Sequence, residues 1–313
     1  IPFYDVGGTY GESITTGKAV KDPELLFERG KILGELFAKD NNYLVISESI
    51  AGGTTTAMAT MMAMGVMREN LVSSSSPKNP KELKTNLVKS ALETAGIEIG
   101  DCAKDPLRAV GCVGDPMIAV NAGMIVGAAK HVPVIVGGGT QMAAVCAVAM
   151  DESVVGNIFQ GTTRWLVNDP NSDIEKIMAG IHKDVPIVYI NMDYSKSPYE
   201  GLQAYEWGYI KEGVGCGGSS VAAVIASAGE LTCDDILEIP VPGVRCWSPE
   251  DPYRYTCVVS LEKDGQVLDC HYVKFGFRTV EAKADGFYLN GEKVFLRGLN
   301  RHQCYPYVGY AAP

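Results

Sequence analysis

The sequence lacks the features that mark several large classes of protein. Its 313 residues carry a formal net charge of −10, which argues against a surface built to bind nucleic acid. Nine irregularly spaced cysteines, with no Cys-x-x-Cys pair, provide neither a disulfide framework nor a zinc site. Scattered thiols of this kind are typical of a reducing cytosol, so we expect a cytoplasmic protein.

Long apolar runs and a leader sequence are also missing. The longest candidate for a membrane span, Met117–Val136, is interrupted by glycines and by Lys130, His131 and Pro133. The first residues, Ile1–Asp5, contain neither a start methionine nor a signal peptide, so we expect the chain to begin inside a gene product. The sequence therefore predicts no contact with a membrane.

Common catalytic motifs are absent as well. His131 and His182 have no acidic partner at metal-ligand spacing, and no serine elbow accompanies them. The run of three glycines at 137–139 lacks the Gly-x-Gly-x-x-Gly spacing of a dinucleotide fingerprint. Nucleophilic triads, metal-dependent hydrolysis and dinucleotide binding therefore have no support, and we expect no metal and no cofactor.

Glycine is what the chain has in quantity, with 35 residues, many of them clustered. The most informative cluster follows the apolar run Tyr43–Ile46 and reads Glu-Ser-Ile-Ala-Gly-Gly-Thr-Thr-Thr-Ala over Glu48–Ala57. Two glycines let a turn pass close to a ligand, and the helix predicted at Ala57–Met67 offers free N–H groups to an anion. The segment can therefore supply an anion cradle and a general base, Glu48. A tight strand-to-helix turn capped by threonines explains it equally well.

Apolar strand-like runs alternate with helix-like stretches from about residue 22 to 232. Such alternation predicts an α/β domain of three layers, with a mostly parallel sheet and helices on both faces. Ligands bind beyond the carboxyl ends of such strands, where glycine-rich turns at 52–53, 137–139 and 213–218 could meet. The predicted strands are Tyr43–Ser47, Val132–Val136 and Pro186–Met192, and the predicted helices are Asp22–Lys39, Ala57–Met67, Pro80–Ala95, Met142–Met150 and Ser219–Ala228.

The pattern becomes all-β near residue 235, and we place a domain boundary near Cys233–Glu238. Asp264-Gly265 and Asn290-Gly291 each separate two strand-like runs, which predicts two hairpins. The first domain is therefore expected at residues 1–235. Residues 236–313 are expected to form a small all-β tail.

Three further segments carry candidate site residues whose roles the residues alone leave open. Glu212 precedes a glycine-rich turn and could be a general base, although a capping or salt-bridging role is favoured. Ser195 and Ser197 follow a strand and could donate to a phosphate, or simply belong to a polar loop. Lys84 could face an anion, although a solvated helix start is favoured.

Five stretches of the chain match, in order, the motifs of one enzyme family: Gly7–Val20, Glu48–Ala57, Val72–Lys84, Val136–Ala144 and Tyr205–Gly218. Over about residues 5–230 the chain resembles the nicotinate-nucleotide–dimethylbenzimidazole phosphoribosyltransferase family, in particular its archaeal-type nicotinate-mononucleotide-dependent branch. The resemblance implies transfer of the phosphoribosyl group of nicotinate mononucleotide to a benzimidazole-type base, with release of nicotinate, in the synthesis of the lower ligand of cobalamin. It implies no metal and leaves a homodimer open.

The resemblance also implies roles for the candidate residues. Glu212 matches the catalytic carboxylate that takes the proton of the attacking base, and Glu48 matches a second carboxylate of the pocket. The family has a further segment before residue 1, so the domain is expected to be truncated at its N-terminus. The residues expected to bind substrate are Gly52, Gly53, Thr54, Thr55, Lys84, Ser195, Ser197, Gly213 and Gly215.

The tail resembles a different family. Trp247–Tyr253, Phe275–Arg278 and Leu296–His302 look like family-2 glycoside hydrolases of the β-galactosidase type, over the end of their immunoglobulin-like sandwich and the entry to their barrel. The two catalytic carboxylates of that family belong to the barrel, so we expect a partial sandwich without catalytic activity. The alternatives to a phosphoribosyltransferase are thus a truncated glycoside hydrolase or carbohydrate-binding fragment, and a catalytically inactive nucleotide binder.

Overall fold

The computed structural model describes residues 4–8, 10–50, 52–151, 153–211, 215–230, 241–263, 266–283 and 285–294. The chain divides into two compact units, Ile1–Ile236 and Leu237–Pro313. Within the described ranges, no helix combines the length and the apolar character needed to cross a membrane.

The first unit alternates helices and strands. It contains two short 3₁₀ helices, Ile14–Thr16 and Val155–Asn157. Its strands are β1 Leu44–Ser47, β2 Val134–Gly137, β3 Ile158–Thr163 and β4 Ile187–Ile190. Its α-helices are α1 Pro23–Ala38, α2 Gly53–Ala63, α3 Lys81–Ala95, α4 Pro106–Val113, α5 Pro116–Ala129, α6 Thr140–Ala149, α7 Arg164–Val167, α8 Ile174–Ile181, α9 Glu200–Gln203 and α10 Cys216–Ala226.

The four strands form one parallel sheet in the order β1-β2-β3-β4. The register pairs Ser47 with Gly137 and Gly137 with Gly161, so the carboxyl ends of the first three strands lie side by side. Every residue of β2 is buried, and α10 contacts all four strands while α5 and α6 contact β2. The predicted α/β architecture with a parallel sheet between helices is confirmed.

One strand and several helices were not predicted from the sequence. Strand β3 was not predicted because three of its fully buried residues are polar, which breaks the apolar run that marks a buried strand. These residues are Gln160, Thr162 and Thr163. The mostly apolar stretch Met117–Val136 divides into most of α5 and the start of β2. Helix α5 is buried on most sides, and burial on all sides removes the periodicity that marks a surface helix.

Two helices begin earlier than predicted, and both shifts concern the glycine-rich turns. Helix α2 begins at Gly53 rather than at Ala57, because Gly52 adopts a left-handed conformation with φ 74° at its N-cap. Helix α10 begins at Cys216 rather than at Ser219, after Gly215 with φ 71°. Only glycine adopts this conformation without a steric penalty, so the glycines set where each helix starts.

Helices α1 and α5 pack backbone against backbone. A Cβ atom added at Gly30 or Gly34 of α1 would overlap a carbonyl oxygen of α5. A Cβ atom at Gly123 or Gly127 of α5 would overlap a carbonyl oxygen of α1 in the same way. Four glycines at spacings of four residues therefore bring the two helix axes closer together than side chains would permit.

The second unit is built of antiparallel strands. Strands β5 Tyr255–Lys263 and β6 Gln266–Phe275 form one pair. A second sheet has the order β7-β8-β9, formed by Val280–Lys283, Gly286–Leu289 and Glu292–Val294. Asn290-Gly291, with φ values of 53° and 81°, joins β8 to β9, as the hairpin signal predicts. Asp264-Gly265 and Leu296–His302 lie outside the described residues.

The glycine packing of α1 and α5 predicts a stability effect. We expect Gly34→Ala to lower the free energy of unfolding by about 1–3 kcal/mol, because the new methyl group must push the two helices apart. Chemical denaturation followed by circular dichroism measures the change. Gly156→Ala is the control, since nothing lies within 4 Å of the added atom there. Equal midpoints for the two variants would contradict the close packing.

Candidate active site

The three glycine-rich turns lie together at the carboxyl edge of the sheet. A side chain at Gly53 would overlap the amide of Gln141, which follows the turn after β2. One at Gly215 would overlap the hydroxyl of Ser47, the last residue of β1. One at Gly218 would overlap the backbone at the end of β2. Turns that are far apart in the sequence therefore enclose one region of the molecule.

The helices that begin at this edge have glycine at their N-caps. Gly52, Gly139 and Gly215 precede α2, α6 and α10, and in each case no side chain binds the first N–H groups. By contrast, aspartate side chains cap α4, α5 and α8. The first N–H groups of a helix have no partner within the helix and carry its positive dipole end. Glycine caps therefore leave these donors available to an anion.

The turn before α2 is open on its outer side. Gly52 is exposed, and no atom lies within 4 Å of the position that its Cβ would take. Thr54 and Thr55 are partly buried in the first turn of the helix, and the N–H of Thr55 donates to the carbonyl of Gly52 at 3.3 Å. The predicted mononucleotide-binding residues thus form the first turn of a helix and not a loop before it.

Two buried polar atoms at this edge have no hydrogen-bond partner among the described residues. They are Oγ of Ser47 and Nε2 of Gln141. A buried polar group without a partner costs about 1–3 kcal/mol. Because the two atoms lie beside Gly215 and Gly53, respectively, a polar ligand between the glycine turns would satisfy them.

Lys84 joins the same region from helix α3. Its side chain is only 7% exposed, and its Nζ donates to the carbonyl of Ser73 at 2.8 Å. Ser73 in turn contacts the hydroxyl of Thr140, the first residue of α6, through its N–H and its Oγ, both at 3.1 Å. The interpretation of Lys84 as part of a solvated helix start is therefore wrong. The ammonium group of Lys84 has three N–H donors, and among the described residues one acceptor, the carbonyl of Ser73, receives a hydrogen bond from it.

Burial and then the positive charge of Lys211 lower the pKa of Lys84 to about 8, against a smaller opposing effect of Asp169. Lys84 therefore loses its proton as the pH rises through about 8, where the protein can still be studied in its folded form. A bound anion would favour the charged form and retain the proton.

Glu48 lies at the mouth of the region, directly after β1. Its Oε2 accepts the N–H of Ile50 at 2.7 Å. Burial raises the pKa of Glu48, the bond from Ile50 lowers it, and the charge of Asp115 raises it again. Asp115 was not among the predicted residues. Its Oδ1 caps α5 by accepting the N–H of Met117 at 2.8 Å, and burial raises its pKa. An Asp-Pro pair before an apolar helix is the signal that identifies such a cap.

Two groups of predicted residues need separate description. Glu212 and Gly213 lie outside the described residues, while their neighbours Lys211 and Gly215 lie within them. Ser195 and Ser197 follow β4, which is three strands from β1, or about 14 Å at the usual strand spacing. Their contact with a phosphate remains a prediction.

A cavity of about 380 Å³ lies beside Lys211, beyond the end of β3. Its aromatic wall includes Trp165 and Tyr205, whose ring centroids are 4.8 Å apart. Its charged lining includes Arg164 and Glu206, joined by an ion pair of 2.6 Å. The two rings are tilted by 48° to each other, so the cavity has aromatic and charged walls but no flat face. No motif in the sequence signals it, because it combines residues from three distant segments, Pro77, 164–171 and 205–211.

A family profile described as Phosphoribosyltransferase matches residues 13–164. A UPF0284 protein of Sulfolobus acidocaldarius is 41% identical over 242 residues, which are 76% of this chain and 67% of that protein. The chain belongs to the phosphoribosyltransferase family. The family predicted for residues 5–230 is confirmed.

UPF0284 proteins of two other organisms are similar to this member of the phosphoribosyltransferase family at nearly the same sequence identity. That of Methanopyrus kandleri is 38% identical, with 75% of this chain and 62% of its own length covered. The UPF0284 protein of Methanothermobacter thermautotrophicus is 40% identical, and the match covers 72% of this chain and 63% of that protein. The chain thus spans about two thirds of the length of these relatives.

Two further similarities concern the tail and solved structures. A profile described as Glycosyl hydrolases family 2 matches residues 200–278. The crystal structure of CobT from Thermus thermophilus is similar at a TM-score of 0.42 and 18% identity, over 54% of this chain and 51% of that one. A structure of a nicotinate-nucleotide-dimethylbenzimidazole phosphoribosyltransferase from the same organism is similar at a TM-score of 0.41 and 18% identity. The match covers 57% of this chain and 52% of that one.

The lowered pKa of Lys84 predicts pH-dependent anion binding. We expect the affinity for sulfate to fall as the pH rises through about 8, by up to tenfold per unit, because the free amine no longer attracts the anion. Calorimetric titration between pH 6.5 and 9.5 measures this, and sulfate keeps its charge throughout. Lys84→Met should remove the pH dependence, and Lys89→Met, on the exposed face of α3, should retain it. A flat profile in the unaltered protein would contradict the assignment.

Proposed function

We propose that the chain transfers the phosphoribosyl group of nicotinate mononucleotide to a ring nitrogen of a benzimidazole-type base and releases nicotinate, as a step in making the lower ligand of cobalamin. One observation carries the proposal. In a member of the phosphoribosyltransferase family, three helix N-termini capped by glycine converge on one edge of the sheet, beside buried polar atoms that have no partner among the described residues.

The phosphate group of the mononucleotide binds at the turn before α2 in this proposal. Gly52 leaves space for its oxygens, and the first N–H groups of α2, starting with that of Gly53, donate to them, with Thr54 and Thr55 adding hydroxyl donors. Lys84 supplies positive charge in a protein that is acidic overall. Backbone donors that are already fixed lose little entropy when the ligand binds.

Two carboxylates act on the attacking base in this proposal: Glu212 accepts its proton, and Glu48 orients it. The base nitrogen forms a bond to C1′ of the ribose as the bond from C1′ to the nicotinate nitrogen breaks. The electron pair of the broken bond leaves with nicotinate, and the ring N–H proton of the base passes to Glu212. Glu48, whose pKa is raised by burial, orients the base by hydrogen bonding. Pyridinium nitrogen is already a good leaving group, so positioning and one general base suffice.

The remaining assignments rest on the sequence resemblance. Gly213 and Gly215 would allow the chain to pass close to the ribose, and Ser195 and Ser197 would approach the phosphate. The reaction as written needs no metal and no cofactor. A cytoplasmic setting, a homodimer, and a division into a phosphoribosyltransferase-like domain and a glycosidase-like tail complete the proposal.

A direct assay tests the reaction and its base. The full chain is incubated with nicotinate mononucleotide and dimethylbenzimidazole, and nicotinate is quantified by liquid chromatography. We expect nicotinate release, and a loss of about 100- to 10,000-fold in kcat for Glu212→Gln, because the amide cannot accept the proton. Glu200→Gln, at an exposed position on α9, should retain activity. Folded protein that releases no nicotinate, or full activity of Glu212→Gln, would refute the proposal.

The profile match at residues 200–278 favours a second candidate, a carbohydrate-binding or truncated glycosidase fragment. Thermal shift distinguishes the candidates, since nicotinate mononucleotide should stabilise a phosphoribosyltransferase and galactosides should stabilise a glycosidase fragment. Stabilisation by galactosides alone would favour the second candidate. Binding of the mononucleotide without turnover would indicate the third alternative, an inactive nucleotide binder.

A further inference from the structure

We propose that Lys211 is a positioning residue whose buried ammonium group fixes the chain immediately before Glu212. The inference rests on the proposed function, in which Glu212 is the general base. It concerns a residue for which the sequence indicates no role, and which the proposed reaction does not use directly.

The ammonium group of Lys211 is buried and its donors are occupied. The residue is 5% exposed, and its Nζ donates to the carbonyls of Ser74 and Gly208, both at 2.8 Å, and contacts that of Ser76 at 3.5 Å. Oδ2 of Asp169 lies 3.6 Å away. The group thus ties together three segments of chain that are distant in sequence.

Asp169, the counter-charge, is itself held in place. Its side chain is 1% exposed. Its Oδ1 accepts the N–H of Asn171 and its Oδ2 accepts the hydroxyl of Ser172, both at 3.0 Å. Hydrogen bonds thus hold the carboxylate in the position where it pairs with the ammonium group of Lys211.

The backbone of Lys211 is anchored as well. Its carbonyl accepts the hydroxyl of Thr163 at 2.5 Å, and Thr163 is the fully buried last residue of β3. On the far side of Glu212, Gly215 lies against Ser47 at the end of β1. Lys211 and Gly215, the described residues nearest to Glu212 on either side, therefore both lie at the carboxyl edge of the sheet.

A comparison of the two buried lysines separates binding from positioning. Lys84 has a single acceptor among the described residues, so its ammonium group can still bind an anion. Lys211 has three carbonyls and a carboxylate around it, so little capacity for a ligand remains. Burying a charge is unfavourable unless it is paired and hydrogen-bonded, and the paired ammonium group of Lys211 has a defined geometry. We therefore assign binding to Lys84 and positioning to Lys211.

The rate of proton transfer depends on the position of the base, and a displacement of about 1 Å can cost 100-fold. We therefore expect Lys211→Met to lower kcat by about 10- to 100-fold and to change KM for nicotinate mononucleotide by less than about threefold. In a Glu212→Gln background, Lys211→Met should have almost no further effect on kcat. Equal fold-losses in both backgrounds would show that Lys211 does not act through Glu212, and would overturn the proposal.

Hydrogen exchange provides a readout that does not depend on activity. The peptide spanning residues 205–218 should exchange faster in Lys211→Met than in the unaltered chain, and Lys89→Met should match the unaltered chain. Unchanged exchange would overturn the proposal. If Lys211→Met does not fold, Asp169→Asn removes the counter-charge at nearly constant shape, and the same selective loss of kcat is expected. An inactive unaltered chain, or an active Glu212→Gln, refutes the proposed function instead, while the exchange result still decides whether Lys211 fixes the segment.

Discussion

The close approach of α10 to the sheet is the constraint on which the candidate site depends. Gly217 and Gly218 lie directly against the backbones of β3 and β2, and a Cβ atom at either glycine would overlap that backbone. This contact brings the first turn of α10 to the carboxyl edge, next to Ser47 at the end of β1. Two glycines without side chains thus determine where two distant segments meet.

Charge is distributed unevenly over this arrangement. The chain carries a net charge of −10, yet two lysines are buried at the candidate site with Asp169 as the carboxylate near both. An excess of buried positive charge is unfavourable unless an anion compensates it. The lowered pKa of Lys84 expresses that cost in the absence of ligand. A phosphate group is the kind of ligand that would relieve it, which agrees with the phosphoribosyltransferase family.

Sequence reasoning identified the architecture and the glycine turns because both leave local signals. Apolar strands between helices predict a parallel sheet, and Gly-Gly before a helix predicts an open N-terminus. Strand β3 was not predicted, because its buried side chains are polar. The burial of Lys84 was not predicted from the residues alone, because lysine is mostly exposed. The Asp-Pro pair at Asp115 is a sequence signal for the start of a helix. It gives no indication that the Asp115 carboxylate lies near Glu48.

The sequence by itself determined the class of fold, the family, and the segments that could bind an anion, since each follows from patterns along the chain. Only the tertiary structure decided which of these segments share one site. It placed the turns before α2, α6 and α10 together, put β4, which precedes Ser195 and Ser197, at the opposite end of the strand order from β1, and buried Lys84 and Lys211. The physical reason is that strand order and backbone contact between glycines set these distances, and neither is encoded in local periodicity.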